Sequence, residues 1–418
     1  MTSAVVLTPA LIPCARRGSR RPGNGPPLRG EDLTELDVVA DGALAWRDGV
    51  VTYAGPAAEL PPDSAGATMI GVNGAVLPGF VDCHTHLPFF GWRGDEFEAR
   101  LAGRSYRDMH GGGGIFRSAR LLAAASDEEV IEFCAPLARE MLAHGTTALE
   151  LKTGYGLSLK GELRQARLAR RLAAKIPQTT TVTLLACHAI PSGRTREDWV
   201  EEACRVLIPA AAQERLIDAV DVYVEDIAFT LEDLSRVASA AKDAGLPVRC
   251  HADQLGASGA AEAAVAVEAR SADHLNHVSK DGVDALGAAP VTAAVLLPVS
   301  TLFLGAAPPK ALDLLEAGAG VALATDFNPG TSPCLSIPEV VSMAAAIYRL
   351  PTLAAAGAAT HNAAWVLGLE ERLGSLEPGK RADFIVLDSA ELSLVPYRPG
   401  HNPVAETWIA GQRVWPPG

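Results

Sequence analysis

The sequence predicts an α/β fold, a (β/α)8 TIM-like barrel with a small β-sandwich domain formed by both chain ends. Between residues 76 and 374, short apolar segments alternate with helix-prone segments, as expected for buried parallel strands and their connecting helices. Residues 1–75 and 375–418 hold short β-prone pieces separated by Gly and Pro. Neither end could bury much surface alone, so we expect the two ends to pair. A chain of 418 residues suits a barrel with one smaller domain.

Apolar, mostly uncharged runs predict the barrel strands, and capping-box patterns predict where two of the helices begin. The capping boxes are Ser126 with Glu129 and Thr230 with Asp233. The predicted barrel strands are a strand ending before His84 and the runs Thr146–Leu151, Thr179–Cys187, Val220–Val224, Val248–Cys250, Ser271–Asp273, Val291–Leu297 and Val321–Thr325. The β-prone pieces at the chain ends are Val38–Trp46, Val50–Ala54, Asp383–Leu387 and Glu406–Val414.

Charge and composition exclude several classes of function. The formal net charge is −13, which argues against nucleic acid as a partner because a phosphate-binding surface needs excess Lys and Arg. No run approaches the ~18 apolar residues of a membrane span, and no secretory signal is recognisable, so we expect a cytoplasmic protein. The seven cysteines are widely spaced without a CxxC pair, which predicts neither a disulfide framework nor a cysteine-bound zinc ion.

The strongest local feature is the segment His84–Thr85–His86 at the end of an apolar strand. Alternate side chains of an extended chain point to one side, so the two imidazoles can face one space. Further candidates end later strands, and the carboxyl ends of barrel strands form the active face of such a fold. These candidates are His188, His251, His274 and Asp326. The remaining histidines, which follow no good strand, are assigned to structure or surface: His110, His144, His277, His361 and His401.

Imidazoles with one carboxylate and no thiolate predict a zinc or iron site. A bound ion with an open position lowers the pKa of a coordinated water to roughly 7, which supplies a hydroxide nucleophile. Asp326 could accept its proton and later pass that proton to a leaving nitrogen. The sequence therefore predicts a hydrolase acting through a metal-bound hydroxide.

A second group of residues suits a small carboxylated substrate. Arg93 offers a planar fork for a carboxylate, and Tyr155 offers a hydroxyl group. The segment Asp326–Thr331 supplies backbone and amide donors beside the metal, and its Asn-Pro-Gly sequence also predicts a turn.

At this point the sequence resembles the imidazolonepropionase family of the amidohydrolase superfamily, from about Pro78 to Gly379. Several of the shared motifs are long and unusual, so the resemblance is to this family rather than to the superfamily in general. The motifs are HTH (84–86), RSYRDM (104–109), GGGGI (111–115), KTGYGL (152–157), HAIP (188–191), HADQ (251–254), SADHL (271–275), ATDFNPGTSP (324–333) and LEPGKRADF (376–384).

The resemblance implies hydrolysis of the ring C–N bond of 4-imidazolone-5-propanoate to N-formimidoyl-L-glutamate, a step of histidine degradation. It implies one zinc or iron ion (Fe²⁺ or Fe³⁺) per chain, and it suggests a homodimer. His274 would orient the water or polarise the ring carbonyl, and Gln254, where some relatives carry Glu, would only donate or accept hydrogen bonds near the ring. The implied metal ligands are His84, His86, His251 and Asp326; the implied substrate contacts are Arg93, Tyr155, His188, Gln254, Asn328, Gly330 and Thr331.

Two alternatives stay open on the sequence. A deaminase or a dihydroorotase-like ring opener could carry two metal ions bridged by a carbamylated lysine, for which Lys152 is the candidate. A metal-binding scaffold without turnover is the alternative outside enzymes. Trp92 departs from the smaller residue that relatives tend to carry before the arginine, and it could reshape the mouth of the pocket.

Overall fold

The structure is a computed structural model that describes residues 3–16, 26–104 and 113–417. Sixteen strands are present in these residues and are numbered here along the chain. They are β1 Ser3–Leu11, β2 Val39–Arg47, β3 Val50–Pro56, β4 Thr68–Gly71, β5 Val76–Pro78, β6 Phe80–Asp82, β7 Thr146–Lys152, β8 Thr179–Cys187, β9 Ala219–Val224, β10 Val248–Ala252, β11 Ser271–His274, β12 Ala293–Leu296, β13 Gly320–Leu323, β14 Phe384–Leu387, β15 Val404–Ile409 and β16 Gln412–Trp415.

Strands β6 to β13 form a parallel barrel in which each strand pairs with its neighbours in chain order. The first and last strands meet through side chains: the Asp82 carboxylate accepts hydrogen bonds from the Thr325 backbone N–H at 3.1 Å and the Thr325 hydroxyl at 2.6 Å. A parallel bridge between Thr85 and Phe327 lies directly beyond them. The predicted (β/α)8 barrel is confirmed, and this seam brings its first and last strand ends side by side.

Helices connect the strands and cover the barrel, and both predicted capping boxes are formed, at Ser126 with Glu129 and at Thr230 with Asp233. Two segments, Ala203–Leu207 and Ala358–Asn362, are π-helical, and two short 3-10 helices span Ala57–Glu59 and Pro62–Ser64. The α-helices are Glu31–Thr34, Gly94–Leu101, Gly114–Ala124, Asp127–Ala143, Leu159–Ala173, Arg196–Glu202, Ile208–Gln213, Leu231–Asp243, Ala260–Ala266, Lys280–Ala288, Pro298–Leu304, Ala311–Glu316, Ile337–Tyr348, Thr352–Gly357, Ala363–Leu367 and Leu394–Tyr397. None of the helices in the described ranges has the length and apolar character needed to cross a membrane.

The two chain ends form one small domain, as predicted. Its strands pair in the order β16-β15-β14-β5-β1-β2-β3, and β4 pairs with β1. The rings of Trp46, Phe384 and Trp408 pack together in its core, with centroids 5.1 to 5.8 Å apart. Such aromatic packing buries a large area per residue, which gives this domain a core that neither chain end could build alone.

The segment 406–414, expected as one β-prone piece, is a hairpin of β15 and β16. Ala410 and Gly411 have positive φ values of 50° and 71° and form its turn. Gly is the usual residue in that conformation and Ala is not. Gly411 was therefore an indication of this turn in the sequence, and Ala410 was not. The domain boundaries at 75 and 374 stay predictions; β5 belongs to the terminal sheet and β6 to the barrel.

We predict that Asn362→Ala lowers the free energy of unfolding by about 2–4 kcal/mol. The Asn362 amide accepts from the Leu28 backbone N–H at 2.7 Å and donates to the carbonyls of Leu28 at 2.9 Å and Val321 at 2.8 Å. These groups are buried, and the alanine would leave them unsatisfied. Urea unfolding would measure the loss, with the exposed Asn73→Ala as the control; equal losses in the two variants would contradict this account.

Candidate active site

Histidine and aspartate side chains meet over the carboxyl ends of the barrel strands. All of these side chains are buried. The imidazole centroid of His84 lies 4.5 Å from that of His251 and 5.3 Å from that of His86. Parallel strands end at the same edge of the barrel, which is why residues far apart in sequence converge here. The cluster consists of His84 and His86 after β6, His188 after β8, His251 in β10, His274 at the end of β11 and Asp326 after β13.

The ligand atoms of this cluster are close enough to hold one ion. The Asp326 Oδ1 atom lies 3.2 Å from His86 Nε2 and 3.6 Å from His84 Nε2. Two overlapping groups each place their nitrogen or oxygen atoms within 4.8 Å of one another, and both include His84. The first group adds His86 and Asp326, and the second adds His251 and His274.

Two buried carboxylates fix the orientation of two of these imidazoles. His84 Nδ1 lies 2.6 Å from Asp273 Oδ2, and His251 Nδ1 lies 3.1 Å from Asp221 Oδ1. A carboxylate accepts the Nδ1 proton, so each ring carries its lone pair on Nε2. Both Nε2 atoms are buried and have no hydrogen-bond partner among the described residues. Buried lone pairs without a donor are unfavourable, and a metal ion satisfies both, so the donor set fits a metal.

The remaining charges beneath the cluster are balanced inside the barrel. Lys152 Nζ lies 2.6 Å from Asp221 Oδ2 and 2.8 Å from Glu150 Oε2, and Arg249 pairs with the other oxygen of Glu150. Burial alone would lower the pKa of Lys152, but the charges of Asp221 and Glu150 raise that pKa to about 12. An ammonium group engaged by two carboxylates is a poor candidate for the carbamylated bridge of a two-metal site.

Burial disfavours the charged forms of His188 and His274. It lowers the pKa of His274 to about 3 and that of His188 well below the usual range. The backbone carbonyl of Gly154 lies 3.0 Å from His188 Nδ1, and a carbonyl can only accept, so this Nδ1 carries the proton. His188 therefore has Nε2 as its acceptor atom, which a ring N–H of a substrate could use.

Left-handed backbone conformations turn two site residues over the barrel mouth. His274 and Leu275 have φ values of 78° and 60°, and Asp326 has a φ of 53°. Such conformations cost of order 1–3 kcal/mol for residues with a side chain and occur often at functional sites. These turns were not predicted from the sequence, because none of the three residues is glycine, the usual residue at positive φ.

A cavity opens onto the cluster. Most residues predicted to contact metal or substrate line it, together with Ile115 and Tyr223, which sequence reasoning missed. His84 and Gly330 are not among the lining residues. The predicted residues that line the cavity are His86, Arg93, Tyr155, His188, His251, Gln254, His274, Asp326, Asn328 and Thr331.

Arg93 contributes a buried cation to this cavity. Its side chain is 3% exposed, and its Nε and Nη1 atoms have no hydrogen-bond partner in the described part of the chain. The Glu96 carboxylate lies 3.7 Å from Nη1, beyond hydrogen-bond distance. Gly330 packs against the guanidinium so closely that a Cβ there would collide with it. The structure thus places Gly330 behind Arg93 rather than on the cavity wall.

Side chains outside the cavity hold the loops that line it. The Glu162 carboxylate accepts the backbone N–H groups of Gly154 at 3.0 Å and Gly156 at 2.8 Å. The Gln165 amide accepts from the Tyr155 backbone N–H at 2.9 Å and donates to the Pro88 carbonyl at 2.9 Å. These bonds fix the backbone on both sides of Tyr155.

The other two lining loops are held in the same way. The Glu225 carboxylate accepts the Gln254 backbone N–H at 2.6 Å. The Asn328 amide accepts the backbone N–H groups of Gly330 at 2.9 Å and Thr331 at 2.7 Å and donates to the Asp326 carbonyl at 2.7 Å. Asn328 therefore builds the turn that the Asn-Pro-Gly sequence predicted, and it lines the cavity from that turn.

Other sequence expectations have mixed outcomes. Trp92 does not line the cavity; its ring packs on Phe89, Phe133 and Phe327 at 5.4 to 6.0 Å between centroids. Most of the motifs at 104–109 and 111–115 lies outside the described residues. Asp221 and Asp273 were missed; for Asp221 the available signal was a charge within the otherwise apolar run Ala219–Val224. The roles assigned to the individual site residues stay predictions.

The barrel, the sheet from both chain ends and the cluster of histidines with one aspartate define the class: metal-dependent hydrolases of the amidohydrolase type. Residues 75–414 match the sequence profile of the amidohydrolase family. Solved structures share the fold over 99% of this chain. Examples are a triazine hydrolase variant (TM-score 0.74, 14% identity, 95% of that chain) and the E. coli guanine deaminase (TM-score 0.71, 17% identity, 99% of that chain).

Sequence relatives define the family more narrowly. The imidazolonepropionase of Rubrobacter xylanophilus is 43% identical over 95% of this chain and 96% of the relative. That of Methylobacterium nodulans is 42% identical over 90% of this chain and 94% of the relative, and that of Pseudomonas aeruginosa is 43% identical over 85% and 89%. The chain therefore belongs to the imidazolonepropionase branch of the amidohydrolase family, as the sequence motifs indicated.

We predict that Asp273→Asn weakens zinc binding about 10- to 100-fold. The neutral amide cannot hold the His84 Nδ1 proton as the carboxylate does at 2.6 Å. Competition with a chromogenic chelator would measure the dissociation constant. The control is Asp388→Asn, which changes a surface pair with His401 at 2.7 Å. Unchanged zinc affinity in Asp273→Asn would contradict the orienting role.

Proposed function

We propose that this chain hydrolyses the ring C–N bond of 4-imidazolone-5-propanoate, giving N-formimidoyl-L-glutamate. The observation that carries the proposal is the buried Arg93 guanidinium in the cavity that also holds the histidine–aspartate cluster. Two of its nitrogens have no hydrogen-bond partner among the residues that the structure describes. A cation in that position suits a substrate with a carboxylate tail. The curated relatives named imidazolonepropionase support the same reaction.

The ligands proposed for one zinc or iron ion are His84, His86, His251 and Asp326. Three imidazoles and one carboxylate are a common set for either metal. The buried Nε2 atoms of His84 and His251, which have no hydrogen-bond partner within the described ranges, support it. When bound, the ion would act as a Lewis acid and lower the pKa of water, so that hydroxide is available as the nucleophile at neutral pH.

The residues of the chain would position and protonate the reacting groups. Water adds to the ring carbonyl carbon, the C–N bond to the neighbouring ring nitrogen breaks, and that nitrogen takes up a proton. Asp326 has Oδ1 towards His84 and His86, so its other oxygen would carry the proton from water to nitrogen. Neutral His274 would orient the water or polarise the carbonyl.

The remaining cavity residues would bind the substrate. The Arg93 guanidinium would take the carboxylate tail, with the Tyr155 hydroxyl beside it. His188 Nε2 and the Gln254 amide would hold the ring through hydrogen bonds. On the product side, Asn328 and Thr331 would form the wall of the cavity, and Gly330 would belong to the turn behind that wall.

We expect a cytoplasmic homodimer that binds no nucleic acid, as its negative charge and the family resemblance suggest. Light scattering on the purified chain would give the mass in solution; a monomer of 43.6 kDa would contradict the dimer and leave the reaction untouched.

The direct test is turnover of the imidazolone. We expect loss of its ultraviolet absorbance with the purified enzyme, abolition of that activity by chelator, and recovery on addition of zinc or iron(II). Elemental analysis should give about one ion per chain, since the described cluster has room for one shared site. Turnover that persists in the fully demetallated protein would exclude the proposed chemistry.

We predict that Arg93→Met raises KM at least about tenfold while kcat falls much less. The lost interaction is with the carboxylate tail, which is present in the ground state and the transition state alike. The nearby Arg117→Met is the control, because Arg117, in the helix Gly114–Ala124, pairs with the exposed Asp95 at 2.6 Å. A wild-type KM in Arg93→Met would remove the arginine from substrate binding.

A further inference from the structure

Lys152, at the end of β7, lies in the barrel interior directly beneath the histidine cluster. Its side chain is fully buried, as are those of its partners Asp221 and Glu150. The alternative role considered from the sequence, a carbamylated bridge between two metal ions, requires a free amine. The geometry instead engages the amine with two carboxylates, so its contribution must come through them.

Asp221 is the link between this lysine and the cluster. Its Oδ2 atom lies 2.6 Å from Lys152 Nζ, and its Oδ1 atom lies 3.1 Å from His251 Nδ1. Each carboxylate oxygen therefore has one partner, and the two bonds together fix the rotation of the carboxylate. The plane of the His251 ring and the direction of its Nε2 lone pair follow from that rotation.

Lys152 also compensates charge that the cluster could not otherwise carry. Asp221 has no exposed surface, and a buried carboxylate without a cation is strongly unfavourable. The other interior cation described here, Arg249, is held by Glu150 and by the Val366 carbonyl at 3.1 Å. Lys152 is thus the cation that pairs with the carboxylate orienting a proposed metal ligand.

We propose that Lys152 is a positioning residue for the metal centre: it holds Asp221 so that His251 presents Nε2 to the ion. Lys152 does not line the cavity, and it would act only through Asp221. The inference rests on the metal site of the proposed function. It adds a chain of three side chains, Lys152, Asp221 and His251, that tunes the affinity and geometry of that site.

The test is a double-mutant cycle on metal affinity in the full-length protein. Lys152→Met, Asp221→Asn and the double variant are demetallated, and the zinc dissociation constant of each is measured by chelator competition. We expect Lys152→Met to weaken zinc binding about tenfold or more. We expect the double variant to bind no more weakly than Asp221→Asn, because the lysine acts through the aspartate. Fully additive losses would overturn the proposal.

A matched control separates this role from general stabilisation. Lys380 is equally buried and pairs with Glu377 at 2.9 Å, in the terminal domain away from the cluster. Lys380→Met should lower stability and leave zinc affinity unchanged. The visible spectrum of the cobalt(II)-substituted protein adds a readout of geometry: it should change in Lys152→Met and not in Lys380→Met. Wild-type affinity and spectrum in Lys152→Met would overturn the inference.

A second variant of Lys152 and the metal affinity of the unmodified protein distinguish failure of this inference from failure of the proposed metal site. If Lys152→Met does not fold, Lys152→Gln retains a donor of similar size without the charge, and we expect about tenfold weaker zinc binding from it as well. Wild-type affinity in that variant would overturn the inference. Failure of the unmodified protein to bind zinc or iron would instead remove the metal site of the proposed function, and the inference with it.

Discussion

The site depends on one constraint: imidazoles and carboxylates must be buried together in the barrel without unbalanced charge. His84 with Asp273 and His251 with Asp221 form hydrogen-bonded pairs that present lone pairs to one point. These pairs are possible because parallel strands carry side chains into a common interior. Lys152 and Arg249 supply the positive charge that this interior needs. An isolated buried charge is strongly unfavourable. The same buried ion pairs therefore stabilise the barrel interior, balance its charge and orient the histidine side chains.

Most of the fold, and the histidines and the aspartate at the strand ends, could be predicted from the sequence. Buried parallel strands are apolar throughout, so a polar residue at a strand end, such as His188 or Asp326, stands out. Within a strand, the pattern does not show which side chains face the barrel interior, because both faces of a barrel strand are buried. Asp221 and Asp273 were missed for that reason. The turn at Ala410 was missed because its conformation is unusual for alanine.

The motif residues fall into two groups in space. Some line the cavity, and others hold the backbone of the lining loops without reaching it. In the HADQ motif, Gln254 lines the cavity, whereas the Asp253 carboxylate accepts the Ser258 and Ala261 backbone N–H groups at 2.8 and 3.1 Å. A sequence motif therefore contains both residues that line the site and residues that hold its backbone in place. The structure is needed to tell the two kinds apart.

The seam between Asp82 and Thr325 has a consequence for how the protein is made. The two residues are 243 positions apart, so the first histidine pair leaves the ribosome long before β13 is synthesised. Until β13 is synthesised, the barrel is open and Asp326 is missing from the proposed ligand set. A nascent chain can offer an ion only an incomplete, solvent-exposed set of ligands. In the proposed site, stable metal capture is therefore coupled to closure of the barrel, and it follows synthesis of the chain through Asp326.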